Sequence, residues 1–315
     1  MSTAPILTVS LNAAVDVVYT IDRFAPDTIN TATDVQRMAG GKANNVARVL
    51  ASLGQRVIAT GFTGGAAGRF IVDDLTRRRI VADFEESGGE NRTCTTIIDP
   101  TSKTVTELRE RGPVLTPADA ERFLARFRRL VGGAGLVIIS GSLPPGIAAD
   151  FYRELVSEAW RAGQVRTLLD ACGEPLAAAL SAQPYFVKPN LDELQEWAGA
   201  ALPTDHHILL AARKLLKAGP LLVGVSLGAR GLLLVSESAD WWATPPAVEP
   251  LNTVGSGDSL VAGFATGLLT GLDADGILRL AVACGTANAL TRAVAEVRPE
   301  DVEQLRGRVQ VRKVR

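Results

Sequence analysis

From residue 136 onward, short apolar runs alternate with amphipathic ones so regularly that few architectures can hold the chain. Residues 136–140 are apolar up to a final serine and read as a strand, followed by helical spacing over 150–161. The pattern repeats with a strand at 165–170, a helix at 175–180, a strand at 185–188, helices at 191–198 and 211–218, and a strand at 221–226. Strands apolar on both sides must be covered on both sides, and the intervening helices supply the cover. The expectation is an α/β fold: a mostly parallel sheet sandwiched by helices. Ligands of such sheets gather at the carboxyl ends of the strands.

The earlier part of the chain is more varied. Residues 5–11 read as a strand ending at Asn12, 15–19 as β-like, and 22–34 as polar and irregular. Gly40-Gly41-Lys42-Ala43-Asn44-Asn45 then leads into Val46, Val49, Leu50 and Leu53 at helical spacing, with Gly54 as the stop. A strand at 56–62 and a helix at 69–79 follow. The runs 93–98 and 104–108 are joined by Asp99-Pro100-Thr101-Ser102-Lys103, a hairpin signal. Thr116-Pro117 opens a helix to about residue 131. Beyond the alternating region come strands at 232–235 and 241–243, a helix around Asp258 and a helix over 281–293. No break in composition divides the chain. Residues 1–315 are therefore read as one α/β domain carrying a small β lid from about 13–39 and 91–112.

Hydrophobic residues make up 47% of the chain and charged residues 21%, enough for a large core. The net charge of −1 argues against nucleic acid or an anionic membrane as a partner, so phosphate binding must rest on a few local cations. Cys94, Cys172 and Cys284 are scattered, which suits reduced thiols in the cytoplasm rather than a disulfide framework or a zinc site. His206 and His207 lie in a polar stretch and read as surface residues. With no run of about 18 apolar residues and no export signal, neither membrane insertion nor secretion is expected.

The chemistry concentrates in Asn252–Gly263. Gly255 and Gly257 precede the amphipathic run Leu260, Val261, Phe264 and Leu268. A helix starting there points its free N–H groups into the Gly255-Ser256-Gly257 turn, which makes an anion site. Asp258 in that first turn would repel a phosphate, but it suits a base that deprotonates an alcohol while the amides hold charge on a transferring phosphoryl group. The plain alternative is an ordinary helix-start carboxylate. Other polar motifs follow strands: Asn12 and Asp16, Ser140–Gly146, Lys188–Glu193, and Ser226–Gly231. Asn190 and Glu193, three apart, suit Mg²⁺ or, equally, a helix capping box. Lys42 and Arg92 suit a substrate phosphate, and Asp16 suits sugar hydroxyls or a turn cap. The Walker-type phosphate loop, the dinucleotide G-x-G-x-x-G and H-E-x-x-H are all absent from the sequence.

Taken together the motifs resemble those of the PfkB carbohydrate kinases of the ribokinase superfamily. Asn252–Asp258 resembles D-T-x-G-A-G-D, and Gly40–Ala47 resembles G-G-K-G-x-N-V-A; S-G-S-L-P-P-G and V-K-P-N-x-x-E-L are further family marks. Ser10–Asp16, Lys42 and Arg92 are similar to the phosphosugar kinase branch, which includes 1-phosphofructokinases, tagatose-6-phosphate kinases and the minor 6-phosphofructokinases. Residues 106–113 look more like the tagatose-6-phosphate kinases.

The resemblance implies a ribokinase-like fold, ATP as co-substrate and Mg²⁺. It implies Asp258 as general base and Gly255, Ser256 and Gly257 as the anion hole. It puts Asn190 and Glu193 near the metal, and Lys188, Ser226, Gly228 and Gly231 at ATP, with Asn288 beside the adenine. Asp16, Gly41, Lys42, Asn45, Arg92 and Ser140 would hold a ketohexose phosphate, and a homodimer through the lid is expected. The rivals are a kinase for an unphosphorylated sugar or nucleoside, opposed by Lys42 and Arg92, and a sugar-phosphate or nucleotide sensor, which would need no base. Asn252, Ser256, Ala13, Ala43 and Asn44 depart from the family pattern. An alanine at 43 is harmless if that position is helical and strained if it needs a positive φ.

Overall fold

A computed structural model describes residues 4–314; residues 1–3 and 315, the ends of the expected 1–315 unit, lie outside the described residues. Its main sheet has eleven strands. From one edge the order is Gln310–Lys313, Asp240–Thr244, Leu232–Ser236, Leu222–Ser226, Phe186–Val187, Thr167–Asp170, Leu136–Ser140, Ile6–Ser10, Val57–Thr63 and Val81–Ala82, with Glu85–Glu86 also pairing beside Val57–Thr63. Pairing is parallel from Leu222–Ser226 to Val81–Ala82 and antiparallel beyond Leu222–Ser226.

The strands have no polar face because each face has its own core. Leu136 and Ile138 join the cluster that takes in Val46 and Val49, Ile71 and Leu75, and Phe264. Val137 and Ile139 join the opposite cluster, with Phe123 and Phe127, Tyr152, Ile208 and Leu215. Each such side chain contributes about 1.5–3 kcal/mol when fully buried. The helix Ser256–Leu269 is buried along most of its length, as a helix apolar on nearly every side must be. Gly263 lets it approach the helix Ala274–Ala289, since a Cβ there would lie 2.8 Å from Ala281 Cα. Phe264 stacks on Phe186 with ring centroids 4.1 Å apart, fixing the helix to the sheet.

A second sheet of four strands runs Asp34–Gly40, Ala14–Thr20, Arg92–Asp99, Thr104–Arg109. It leaves the main body three residues after Ser10 and returns through Gly40 into the helix Lys42–Ser52. Asp99 braces its hairpin, accepting from the Thr101 and Ser102 amides and from Arg23 and Phe24 across the loop.

Several elements differ from the sequence reading. The strand Asp34–Gly40 had no clear signal because its first half is polar and exposed. The helix expected at 69–79 begins at Gly65, because the Glu90 carboxylate accepts from the Ala66 and Ala67 amides and Asn91 accepts from Gly64. A start held by a segment some twenty residues away leaves no local mark. The helix expected at 281–293 is Ala274–Ala289, capped by Asp273 at its start. The helix Pro299–Arg306 and edge strand Gln310–Lys313 complete the described chain. Among the described residues no helix is long and apolar enough to cross a membrane, and the three cysteines are free.

Candidate active site

The carboxyl ends of the parallel strands and the concave side of the four-stranded sheet enclose a cleft of about 870 Å³. Asp16, Gly41, Lys42, Asn45, Arg92, Ser140, Lys188, Asn190, Glu193, Ser226, Gly228, Gly231, Gly255, Ser256, Gly257 and Asp258 all line it. These residues are scattered from 16 to 258 in the chain, and the sheet register brings them together.

Two glycine turns meet at the centre. Gly255 caps the helix Ser256–Leu269 with φ +83°, a left-handed conformation that favours glycine. A Cβ on it would come within 2.5 Å of Ala295 N. The helix amides of Gly257 and Asp258 precede the first bond of the helix, Ser259 N to Gly255 O, so they are orphan donors in the first turn. The second turn ends at Gly41, φ +91°, which caps Lys42–Ser52. Ala43 lies within that helix, so the alanine there is unstrained. Gly40 is small for a different reason: a Cβ would lie 2.1 Å from the Asp16 carboxyl.

Asn45 joins the two turns by donating from Nδ2 to Asp258 Oδ2 at 2.8 Å. Its Oδ1 is buried with no protein partner. A buried acceptor left free beside a carboxylate suits a ligand hydroxyl. Burial pushes the Asp258 carboxyl up to about 6; Asp170 adds to this, while Lys42, the Asn45 hydrogen bond and Lys188 oppose it. Asp16 is likewise raised to about 6, chiefly by burial, with Arg48 opposing and Asp258 adding. Asp16 thus feels the charge of Asp258.

Asp170 is a site residue that the sequence reading missed. It is 1% exposed and lies 3.3 Å from Lys42 Nζ and 3.4 Å from Lys188 Nζ, and Ser140 Oγ donates to it at 3.4 Å. Burial works against its charge, but Lys188 and Lys42 outweigh burial and hold the carboxyl below its ordinary value. Lys42 is also 3.5 Å from Glu193 Oε1, and Asp170 above all raises its pKa. Lys42 therefore stands among carboxylates at the Asp258 end of the cleft. Arg92, on the four-stranded sheet, donates instead to Asn12 O at 3.0 Å and Glu110 O at 3.1 Å. The two cations expected to share one phosphate engage different groups. Arg48, also unforeseen, is 5% exposed; its guanidinium donates to Ala39 O beside the Gly40–Gly41 turn and to Val294 O beside the Gly255 turn.

Asn190 and Glu193 form the capping box. Asn190 Oδ1 accepts from Glu193 N and Glu193 Oε2 accepts from Asn190 N, both at 2.8 Å. Only Glu193 Oε1 stays outside the cap, and no group of three or more His, Cys, Asp or Glu among the described residues could cage a metal. Asn288 has a different place from the one expected. It is fully buried; its amide donates to Val254 O at 2.9 Å and Ser256 Oγ at 3.0 Å and accepts from Glu296 N. With all three contacts spent on the turn, it braces the glycine turn and has no donor left for an adenine. Asn252, at the position of the family aspartate, donates to Arg292 O and accepts from Val254 N, so it fastens the same turn.

A buried carboxylate held beside orphan amides, with Lys42 and Lys188 in the same cleft, has the parts that phosphoryl transfer to an alcohol uses. The comparisons agree. Residues 7–301 match the model of the pfkB family carbohydrate kinases. Tagatose-6-phosphate kinase of Staphylococcus epidermidis is 33% identical over 97% of this chain and 99% of its own length. Phosphofructokinase-2 from Escherichia coli, solved in complex with potassium, superposes with TM-score 0.90 at 28% identity, covering 97% of this chain and 99% of that one. Its complex with fructose-6-phosphate gives 0.88 at 27%, with the same coverage. Arabidopsis thaliana ribokinase shares the fold at 23% identity, TM-score 0.76, over 97% and 99%. Motifs, fold and family model converge: the chain belongs to the pfkB family of carbohydrate kinases.

Proposed function

We propose that the protein is an ATP-dependent phosphosugar kinase. It moves the γ-phosphate of ATP to a hydroxyl of a ketohexose phosphate (tagatose 6-phosphate, fructose 1-phosphate or fructose 6-phosphate) to give a bisphosphate. The observation that carries this reading is the Asn45–Asp258 contact at 2.8 Å beside the first-turn amides, with Arg92 across the same cleft. The names of the relatives support it: a tagatose-6-phosphate kinase, and a phosphofructokinase solved with fructose-6-phosphate.

In this mechanism Asp16 and Asn45 Oδ1 accept from sugar hydroxyls, Gly41 and Ser140 line the sugar, and Arg92 holds its phosphate. Asp258 takes the proton of the attacking hydroxyl as the new O–Pγ bond forms and the bond from Pγ to the bridging oxygen of ADP breaks. The orphan amides of Gly257 and Asp258 and the Lys42 and Lys188 ammoniums face the charge that develops on the phosphoryl oxygens. ATP lies along Lys188, Asn190, Ser226, Gly228 and Gly231. Glu193 Oε1, outside the cap and 3.5 Å from Lys42 Nζ, is the carboxylate oxygen that would serve a Mg²⁺ here, Asn190 Oδ1 being spent on the cap. Mg²⁺ supplies charge neutralisation on the polyphosphate. A cytoplasmic homodimer joined through the four-stranded sheet completes the reading, and the exposed edge strand Thr104–Arg109, with Val105 and Leu108 open, suits it.

The test is ATP- and Mg²⁺-dependent ADP release against the three ketohexose phosphates, with fructose and ribose as controls. Selective turnover of one sugar phosphate is expected. Turnover of a control alone would overturn the role given to Arg92.

A further inference from the structure

Arg109 lines the same cleft as Arg92, and no role has yet been given to it. Its setting follows from the register of the four-stranded sheet. Asp16 pairs with Cys94, Cys94 with Arg109, and Ala14 with Arg92. Directly paired residues share a face, and so do residues two apart on one strand. Asp16, Arg92, Cys94, Glu107 and Arg109 therefore occupy one face, and all five line the cleft. Arg92 and Arg109 are diagonal neighbours, whose Cα atoms in an antiparallel pair are about 7–8 Å apart, within reach of two long side chains converging on one anion.

The two guanidiniums are held differently. Arg92 is fixed by donating from Nε and Nη1 to the carbonyls of Asn12 and Glu110, which leaves Nη2 for a ligand. Arg109 has one partner, Glu107 Oε2, at 2.5 Å, and its side chain is 65% exposed. An exposed pair of this kind is weak and is readily exchanged for a stronger anion. A phosphate monoester dianion, forked by two guanidiniums, is such an anion.

We infer that Arg109 is a specificity-determining residue: with Arg92 it forms a two-guanidinium seat for the phosphate of the sugar, and Glu107 holds it until that phosphate arrives. This rests on the phosphosugar-kinase reading above. A neutral sugar leaves Arg109 on Glu107 and gains nothing from it. A sugar phosphate draws Arg109 across and is preferred by that contact. The device separates phosphorylated from free ketohexoses without touching the reacting hydroxyl.

The experiment is steady-state kinetics of the full chain, wild type and Arg109→Met, with the sugar phosphate that the wild type turns over and with the matching free sugar. Losing one charge-assisted contact should raise KM for the sugar phosphate about tenfold or more, with kcat and KM for ATP within about twofold. Arg109→Lys should recover part of the loss, since a lysine keeps the charge and loses the fork. The exposed position makes misfolding a poor explanation, and an unchanged thermal midpoint would exclude it. An unchanged KM for the sugar phosphate, or an equal loss with the free sugar, overturns the role of Arg109 while leaving the kinase reading intact. If the wild type turns over no sugar phosphate, the kinase reading itself fails and this inference falls with it.

Discussion

Replacing Asp258 with asparagine should remove the activity and strengthen the fold at the same time. Both effects come from one carboxylate kept charged in a place that resists charge. Burial raises its pKa to about 6 from an ordinary 3.8. Between those values the folded protein keeps a proton that the unfolded chain has lost, so stability falls as pH rises through that window. Two pH units at 1.36 kcal/mol each amount to about 3 kcal/mol, present in full above pH 6 and absent below about pH 4. Asparagine has the same shape and no charge. That figure is already net of the bond from Asn45, which holds the value down; what the variant gives up is the fit of one rearranged hydrogen bond, about 0.5–1.5 kcal/mol. The net expectation for Asp258→Asn is a gain of about 1–2 kcal/mol at pH 8 that vanishes toward pH 4, measured by urea unfolding at both values.

Turnover should move the opposite way. Losing a positioned base costs about 10²–10⁴-fold in rate, or about 3–5.5 kcal/mol of barrier. In the wild type the rate should fall as pH drops through about 6, where Asp258 takes up its proton. Asp16, also raised to about 6, must be ionised too if it accepts from the sugar, so that limb should end steeper than a single ionisation, while repulsion from Asp258 spreads it over a wider pH range. The assay is kcat by ADP release from pH 5 to 8. Turnover of the variant within tenfold of wild type would refute the base, and a variant less stable than wild type at pH 8 would refute the account of its strained charge.

Two other substitutions test the frame around the base. Gly255→Ala puts a methyl at φ +83° and within 2.5 Å of Ala295 N. It should cost about 1–3 kcal/mol in a urea melt and most of the activity, and a wild-type midpoint with full turnover would show that the turn is not fixed as described. Asp170→Ala leaves the Lys42 and Lys188 ammoniums without the carboxylate between them. A loss of about 3–5 kcal/mol is expected, and an unchanged urea midpoint would contradict the buried triad.

What the sequence made legible was whatever is encoded locally. Glycines before an amphipathic run mark a turn that opens a helix, and both turns were visible at Gly40–Asn45 and Gly255–Gly257 for that reason. The capping box at Asn190 and Glu193 was equally open to reading, because its two partners lie three residues apart. Asp170 was not. On the page it is one aspartate ending an apolar strand, and only the register that sets it opposite Ser140, with lysines from residues 42 and 188 above it, gives it a role. Arg48 hides inside a helix and acts through two carbonyls that are remote in sequence. Asn288 has polar atoms that suit a ligand, but its position spends the amide nitrogen on the turn and the amide oxygen on Glu296 N.

The residues that could not be read from the sequence share one function, which is to balance charge before any substrate binds. Lys42 and Lys188 are neutralised by Asp170 and Glu193, and Arg48 lies among Asp16, Asp74 and Asp258. A chain of net charge −1 can therefore keep the buried Lys188 and the half-buried Lys42 in one cleft, with the buried Arg48 behind it, without unfolding. The cost of burying those lysines is met in the empty protein by carboxylates that do not react. In the proposed reaction, incoming phosphates would meet ammoniums already fixed in position, with little reorganisation left for the moment of transfer. Asp258 is the exception to the balance: burial keeps its pKa raised against the pull of Lys42 and Lys188, and Asp170, which steadies the lysines, adds a smaller push in the same direction. A carboxylate kept near the pH at which it would take a proton is what the proposed general base requires, and here it follows chiefly from burial, with the buried aspartate that holds the lysines adding to it.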